Sequence, residues 1–238
     1  MKNYKETRKE QILNAAERVF AKKGYQDATI SDVAREANAS DATIYKYFSS
    51  KEDLLFSIPA KVTEKVTEDM EFHLNHVRGA ANKIRSIIYH YLWFYKNHPD
   101  YSSVALLILK RNRKFLETEA YQKVREGSRV VVRTVKEGVA LGEFNPYTNP
   151  YLVRSMILGT IEHIVIRWLL HGSPKDLLQF VDPLTDMVIE GIKKGRDSRR
   201  WNLRIALEPE GSPPSNGSIS KRRAKNKPVE QSRNRSPR

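Results

Sequence analysis

Apolar residues recur at every third or fourth position along most of this chain, and this spacing constrains the fold more than any other feature. A helix over residues 7–23 would carry one apolar stripe along its length. The stripe consists of Ile12, Ala15, Ala16, Val19 and Phe20. Gly24 follows, and glycine commonly ends helices because it tolerates a left-handed backbone. Since the apolar–polar alternation of strands is lacking, the sequence predicts an all-α fold.

Six longer helices are predicted after the first fifty residues. They cover about 51–77, 80–97, 100–111, 114–141, 150–171 and 174–193. Proline and glycine separate them, as in His98-Pro99 and Gly172-Ser173-Pro174. Pro183 lies inside the last one and is expected to kink it or to split it in two.

Two short helices are predicted between the first helix and these longer ones. Thr29 and Asp32 have the spacing of a capping box, which opens a short helix. Asn38 then tolerates the left-handed conformation of a tight turn, and Ser40 is placed to cap a helix over about 41–48. Two short helices joined by a tight turn form the helix-turn-helix pattern, in which the second helix enters the major groove of DNA.

The second short helix has the side chains that a groove-reading helix needs. Asp41, Ala42 and Thr43 keep its first turn small, and Thr43 can bond to a phosphate or a base. Asp41 could accept from cytosine, although a capping role is favoured. Tyr45 and Tyr47 can donate to phosphates, whereas Ile44 and Phe48 are expected to pack inside the domain. Lys51 opens the next helix, where its charge and the free backbone N–H groups suit a phosphate.

Residues 29–55, with the helix that ends at Lys23-Gly24-Tyr25, resemble the TetR (tetracycline-repressor) family of regulators. Asn38 replaces the usual glycine, and Ala42 a frequent glycine or proline. The resemblance implies an all-helical homodimer that binds a palindromic operator in double-stranded DNA and responds to a small-molecule effector. It implies a DNA-binding domain at 1–50 and an effector-binding and dimerisation domain at 51–194. Residues 195–238 are rich in Ser, Pro, Gly, Asn and Arg and poor in apolar residues, so a basic, disordered tail is predicted there. The DNA-contact set is Ser31, Ser40, Asp41, Ala42, Thr43, Tyr45, Lys46, Tyr47 and Lys51.

The last two long helices of each subunit form a four-helix dimer interface in this family. The matching segments here are 151–171 and 177–192. Candidate interface residues are Leu152, Met156, Gly159, Ile164, Leu177, Leu184, Val188 and Ile192. For any one of these residues, a place in the core of the monomer is an equal alternative.

The effector pocket is expected among the middle helices. Candidate pocket residues are Tyr89, Trp93, Leu107, Arg129, Arg133, His163 and Arg167. The alternatives are core packing for the aromatic residues and a solvated surface for the charged ones. Residues 159–168 resemble family members that sense fatty acyl thioesters, which implies an acyl-CoA or a long-chain acid as effector. A bulky aromatic or cationic drug, as in regulators of efflux systems, is the alternative.

The net charge of +14 suggests a polyanionic partner, but +8 of it belongs to residues 195–238. An architectural protein that binds DNA through this tail is therefore the rival from another class. There is no cysteine, signal peptide or long apolar run, so a cytoplasmic protein without a membrane segment is expected. His73 and His76 lack a third ligand nearby, so no metal is predicted. No cofactor or enzymatic activity is predicted either, because phosphate loops and nucleophile motifs are lacking.

Overall fold

The computed structural model describes residues 4–195, which lie in one compact unit, and it confirms the all-α fold. The helices of the described part are α1 (Tyr4–Asp27), α2 (Ile30–Glu36), α3 (Asp41–Tyr45), α4 (Lys51–Leu74), α5 (Ala80–Asn97), α6 (Pro99–Ser103), α7 (Arg113–Leu116), α8 (Glu119–Gly127), α9 (Arg129–Ala140), α10 (Pro150–His171) and α11 (Val181–Ile192). A π-helical turn (Val104–Ile108) and a 3-10 turn (Leu109–Arg111) continue α6, and another 3-10 turn (Leu177–Phe180) precedes α11. The predicted tail lies outside the described residues, apart from Gly195 at its start.

Local sequence signals fix the first three helices as predicted. Gly24 has a φ of 76° and interrupts α1, so that the chain turns towards α2. Thr29 and Asp32 form a reciprocal capping box, in which each side chain accepts from the other residue's backbone N–H at 3.1 Å. Asn38 has a φ of 49°, and Ser40 caps α3. The predicted third helix over 41–48 is shorter, because regular helix ends at Tyr45.

The middle of the chain departs from the predicted helices. The continuous helix expected over about 114–141 is wrong, because the chain breaks into α7, α8 and α9. New helices begin after Asn112 and Thr118, because the side-chain oxygens of these residues accept from backbone N–H groups of α7 and α8. The helix predicted over 174–193 is divided into the 3-10 turn at 177–180 and α11. Pro183 is the third residue of α11, where a backbone N–H would have no acceptor within the helix.

Buried side chains form two apolar clusters, and α4 belongs to both. Its first half contributes Leu54, Leu55 and Ile58 to a cluster that includes α1, α2 and α3. Its end contributes Met70 and Leu74 to a second cluster built mainly from α5, α9, α10 and α11. Burying one such leucine or isoleucine side chain contributes about 1.5–3 kcal/mol, so both ends of α4 are firmly anchored. The predicted domain boundary at residue 50 stays a prediction, because the first cluster also includes side chains from α5 to α7.

None of the helices between residues 4 and 195 combines the length and the hydropathy that crossing a membrane requires.

Candidate functional sites: the helix-turn-helix and a central cavity

The turn between α2 and α3 is held by backbone and side-chain hydrogen bonds. The N–H of Ala39 donates to the carbonyl of Ala34 at 2.8 Å, which closes the turn around Asn38. The Arg8 guanidinium of α1 donates to the Asn38 carbonyl at 2.8 Å. The N–H of Thr43 donates to Ser40 Oγ at 3.2 Å and starts α3. The contact of Arg8 was not predicted from the sequence, because its partner lies thirty residues away and leaves no local signal.

The outer face of α3 is free of core contacts. Ile44 and Phe48 are buried, as predicted, and anchor the segment. Asp41, Ala42, Tyr45 and Lys46 are exposed, while Thr43 and Tyr47 are half-buried. Tyr45 keeps 55% of its surface accessible. The predicted DNA-contact residues on α3 therefore lie on or beside one accessible surface of a rigidly anchored helix, and their contacts with DNA stay a prediction.

Asp41 does not cap α3, contrary to expectation, because Ser40 supplies the capping oxygen. The Asp41 carboxylate accepts from Ser31 Oγ at 2.6 Å instead. The Ser40 and Thr43 hydroxyls lie 2.9 Å apart and are bonded to each other. These side-chain bonds connect the starts of α2 and α3 and fix the predicted contact residues relative to one another.

Lys51 makes structural contacts that were not predicted from the sequence. Its ammonium donates to the carbonyls of Tyr25, Gln26 and Ala28 at 2.7, 3.4 and 2.9 Å, and it lies 4.5 Å from the centre of the Tyr25 ring. An ammonium has three donors, so these carbonyls occupy all of them. The ammonium therefore has no donor left for a phosphate. The predicted phosphate contact stays a prediction for the backbone N–H of Lys51 alone.

Replacing Lys51 should weaken the fold without any DNA present. Lys51→Met keeps the aliphatic stem but removes the donors to three carbonyls, so the free energy of unfolding should fall by about 1–3 kcal/mol. Urea denaturation of the free protein measures this change. Lys46→Met is the matched control, because Lys46 is exposed and should change stability by less than about 0.5 kcal/mol. Equal stability of the two variants would contradict the structural role of Lys51.

Asp32 connects α1 to α2 electrostatically. Its carboxylate lies 2.7 Å from Lys23 Nζ and also accepts from the hydroxyl and the backbone N–H of Thr29. The hydrogen bond from Lys23, followed by those from Thr29, lowers the pKa of Asp32 to about 2. The folded helix-turn-helix therefore stabilises the ionised form of this carboxylate.

This lowered pKa predicts a specific loss of stability in acid. Because an unfolded aspartate has a pKa of about 3.9, ionised Asp32 stabilises the fold above about pH 4, and that contribution disappears as the pH falls towards 2. Asp32→Asn should lower stability at neutral pH and flatten its decline between pH 4 and 2. Denaturation curves at several pH values measure both effects. The exposed Asp27→Asn serves as control, and an Asp32→Asn curve parallel to wild type would contradict the prediction.

The predicted dimer residues differ in their burial. Leu152 and Met156 of α10 are exposed at 59% and 49%, so they are available to a partner, while Gly159 lines the cavity described below. Leu177, Leu184, Val188 and Ile192 are buried in the second cluster of the monomer. All four lie in the monomer core: Leu184, Val188 and Ile192 through their i, i+4 spacing on the face of α11 that packs against α5, and Leu177 in the 3-10 turn before α11. Ile164 is partly buried against the same cluster, and Met187 is the residue of α11 that is exposed at 74%.

A cavity of about 400 Å³ lies between α4, α5, α8 and α10, and the turns after α6 also line it. This volume falls within the range of small-molecule sites. Its apolar and aromatic lining includes Pro59, Tyr91, Tyr95, Tyr101, Ala105, Leu106, Leu109, Phe115, Tyr121, Val124, Leu158 and Ile161. Its polar lining includes Lys110, Arg125, Ser128, Arg154, Ser155 and Glu162.

The basic groups of the cavity differ in their pairing. Lys110 and Glu162 form an ion pair, and burial lowers the pKa of Lys110. Arg125 and Arg154 make no ion pair with the described residues, although Arg154 lies 5.8 Å from the centre of the Tyr151 ring. Since neither arginine has a carboxylate partner among the described residues, both are suited to an anionic group of a ligand.

The predicted pocket residues do not line this cavity. Tyr89 and Trp93 are exposed on the other face of α5, and Leu107 is half-buried outside the lining. Arg129 pairs with Glu126, and Arg133 pairs with Glu71. His163 and Arg167 are exposed. The cavity lies among the middle helices, but its lining residues are on other faces than the predicted ones, namely Tyr91 and Tyr95 on α5 and Arg125 on α8.

The fold and the helix-turn-helix are typical of a DNA-binding regulator, and comparison with known families agrees. Residues 12–58 match the family of bacterial regulatory proteins, tetR family, and residues 60–191 match the YsiA-like protein, C-terminal region. The chain belongs to the TetR family and is a transcriptional regulator of that family.

Individual relatives are similar over most of this chain. It is 27% identical over 182 residues to the fatty acid metabolism regulator protein of Bacillus subtilis, covering 76% of this chain and 94% of the relative. The structure of fatty acid degradation regulator FadR from Bacillus halodurans superposes with a TM-score of 0.73 at 25% identity, covering 77% and 95%. That of the transcriptional regulator FadR from B. subtilis in complex with stearoyl-CoA gives 0.69 at 28% identity, covering 77% and 98%.

Proposed function

We propose that this protein is a cytoplasmic, ligand-released repressor that binds a palindromic operator as a homodimer. The observation that carries the proposal is the free outer face of α3, where Ala42 and Tyr45 are exposed while Ile44 and Phe48 anchor the helix. A recognition helix needs both an accessible face and a fixed base. Two such helices, one from each subunit, would contact two half-sites about one DNA turn apart.

The effector is an acyl-CoA or a related long-chain acid. The apolar and aromatic wall of the cavity suits an acyl chain, and Arg125 and Arg154 suit its anionic part. The solved B. subtilis relative contains stearoyl-CoA, which supports the same class. Arg125 and Arg154, which form no ion pair among the described residues, repel a cationic drug, so the cavity favours the acyl effector over that alternative.

Helix α4 is the element through which the effector acts on DNA binding. Its first half packs with α1–α3, whereas Pro59 in its interior lines the cavity. Gly127 of α8 lies so close to α4 that a Cβ there would be 2.8 Å from Thr67 Oγ1. An effector that contacts both Pro59 and α8 can therefore shift α4, and with it the spacing of the two recognition helices.

The dimer interface includes the outer faces of α10 and α11. Leu152, Met156, Leu170 and Met187 are exposed there by 49–74%. Apolar side chains of this size on neighbouring helices are typical of a surface that a partner covers. The partner is a second copy of this chain, and sedimentation equilibrium measures the dimer directly.

Selection from a genomic fragment library tests the proposal. The purified protein is incubated with the fragments, the retained DNA is sequenced, and the selection is repeated with stearoyl-CoA. Recovery of one palindrome that is lost on adding stearoyl-CoA is the expected result. A palindrome whose binding resists acyl-CoA would reject the effector but keep the regulator. Retention without a shared motif would favour the architectural alternative, in which residues 195–238 bind DNA.

A further inference from the structure

A carboxylate lies at the start of the helix that is placed to read DNA. Asp41 is the first residue of α3 and is exposed. It does not cap the helix, because Ser40 Oγ accepts from the N–H of Thr43. Among the described side chains, Asp41 has no cationic partner, and its one hydrogen bond is from Ser31 Oγ to its Oδ2 at 2.6 Å. Its Oδ1 is therefore available as an acceptor at the surface of the helix-turn-helix.

This carboxylate is unsuited to the DNA backbone. At neutral pH a carboxylate is an anion that only accepts hydrogen bonds, and phosphate repels it. In the major groove, the donors are the amino groups of adenine and cytosine, whereas the edges of guanine and thymine present acceptors. Asp41 therefore favours binding only where an amino group lies beside the start of α3, and it opposes binding to the other bases.

Of these two bases, cytosine fits a carboxylate better. In adenine the amino group lies next to the N7 acceptor, which repels the second carboxylate oxygen, while cytosine presents N4 without such a neighbour. Acidic side chains that accept from cytosine N4 are a recurrent pairing in the major groove. Ala42 keeps the first turn of α3 small, so the short side chain of Asp41 can come close to a base edge.

Ser31 fixes the direction of this carboxylate. Its hydroxyl has a single donor, and that donor is bonded to Asp41. The bond joins the second residue of α2 to the first residue of α3, so it holds the carboxylate in one orientation. While it is made, the Ser31 hydroxyl has no proton for a phosphate. Ser31 is thus a positioning residue that acts through Asp41.

We propose that Asp41 accepts a hydrogen bond from cytosine N4 in each half-site of the operator and that Ser31 orients it. Two subunits related by a two-fold axis bring this contact to both strands, at equal distances from the centre of the palindrome. The inference rests on the proposed binding of a palindromic operator and specifies one base in each half of it.

Selection from a library of random duplexes by the full-length protein tests this inference. Wild type should select a palindrome with a cytosine in each half-site whose preference depends on Asp41. Because an amide can bond to both N6 and N7 of adenine, Asp41→Asn should prefer adenine there by about tenfold and keep the other positions. Asp27→Asn removes an exposed carboxylate from the end of α1 and should select the wild-type motif.

Two outcomes separate this inference from the function on which it rests. An unchanged preference at every position in Asp41→Asn would overturn the inference alone. A wild type that selects no common motif would overturn the proposed operator binding, and this inference with it.

A measurement on wild type alone decides the contact to N4 even if the variant folds poorly. Each cytosine of the selected half-site is replaced in turn by 2-pyrimidinone, which is cytosine without its amino group. At one position the affinity should fall about tenfold. Unchanged affinity at every position would contradict a bond to N4.

Variants of Ser31 distinguish orientation of Asp41 from a phosphate contact. Ser31→Ala should lower the preference for cytosine at that position by about threefold or more, and Ser31→Thr, which keeps the hydroxyl, should restore it. Loss of a phosphate contact would instead weaken the binding of all duplexes by a similar factor. A full cytosine preference in Ser31→Ala would contradict the positioning role of Ser31.

Discussion

Ala42→Tyr is expected to lower affinity for the operator by about three orders of magnitude, towards the affinity for non-specific DNA. Ala42 lies in the first turn of α3 and is exposed, so the new ring points away from the core. A recognition helix brings its first turn closest to the base edges, and a phenol ring there prevents the approach. Contacts to phosphates alone would remain, and these carry no sequence information.

Fluorescence anisotropy with a labelled operator and with a scrambled duplex measures this loss. Ala140→Tyr introduces the same side chain at an exposed position of α9 and should leave both affinities unchanged. Thermal unfolding should be similar for both variants, because neither alanine is buried. If Ala42→Tyr kept the wild-type preference for the operator over the scrambled duplex, α3 would not be the element that reads DNA.

The start of the chain was predictable because its signals are local. Thr29 and Asp32 cap α2 across three residues, and Asn38 and Ser40 define the following turn within the same short stretch. Such bonds depend on side chains that are close in sequence, so residue types and spacing suffice to predict them. Arg8 and Lys51 hold the same region through carbonyls more than twenty residues away, and no local pattern indicates these contacts.

The cavity was not predictable at the level of residues, because α5 carries aromatic side chains on several faces. Tyr89 and Tyr91 are two positions apart, which is about 200° around a helix, so one is exposed and the other lines the cavity. Their identities do not indicate which is which. Only the packing of α10 against α5 decides, and that is a property of the whole fold.

The same limit applies to the dimer prediction on α11. Its apolar stripe, which includes Leu184 and Val188, packs against α5 within the monomer. A sequence pattern identifies an apolar stripe but not the surface that covers it, since a monomer core and a subunit interface are similarly apolar. Met187, which is exposed at 74%, does not belong to that stripe.

Replacing both unpaired arginines of the cavity is expected to lower the affinity for acyl-CoA by at least about a hundredfold, since each hydrogen bond between charged groups contributes about 1.5–3 kcal/mol. The double variant Arg125→Gln, Arg154→Gln removes two cations from opposite walls, formed by α8 and α10. Binding of the operator should persist, because both residues lie outside the helix-turn-helix, on α8 and α10. Acyl-CoA should then fail to release the DNA at concentrations that release it from wild type.

The control variant Arg129→Gln, Arg133→Gln distinguishes the cavity from the pocket that the sequence predicted around α9. It removes the same charge from residues that the sequence favoured but that pair with Glu126 and Glu71 outside the cavity. Titration calorimetry should give this variant the wild-type affinity for acyl-CoA, because its exposed ion pairs contribute little. Loss of binding in the control, with retention in the Arg125, Arg154 variant, would move the effector site to α9. Equal loss in both would mean that net positive charge attracts acyl-CoA, and the cavity arginines would have no special part in binding.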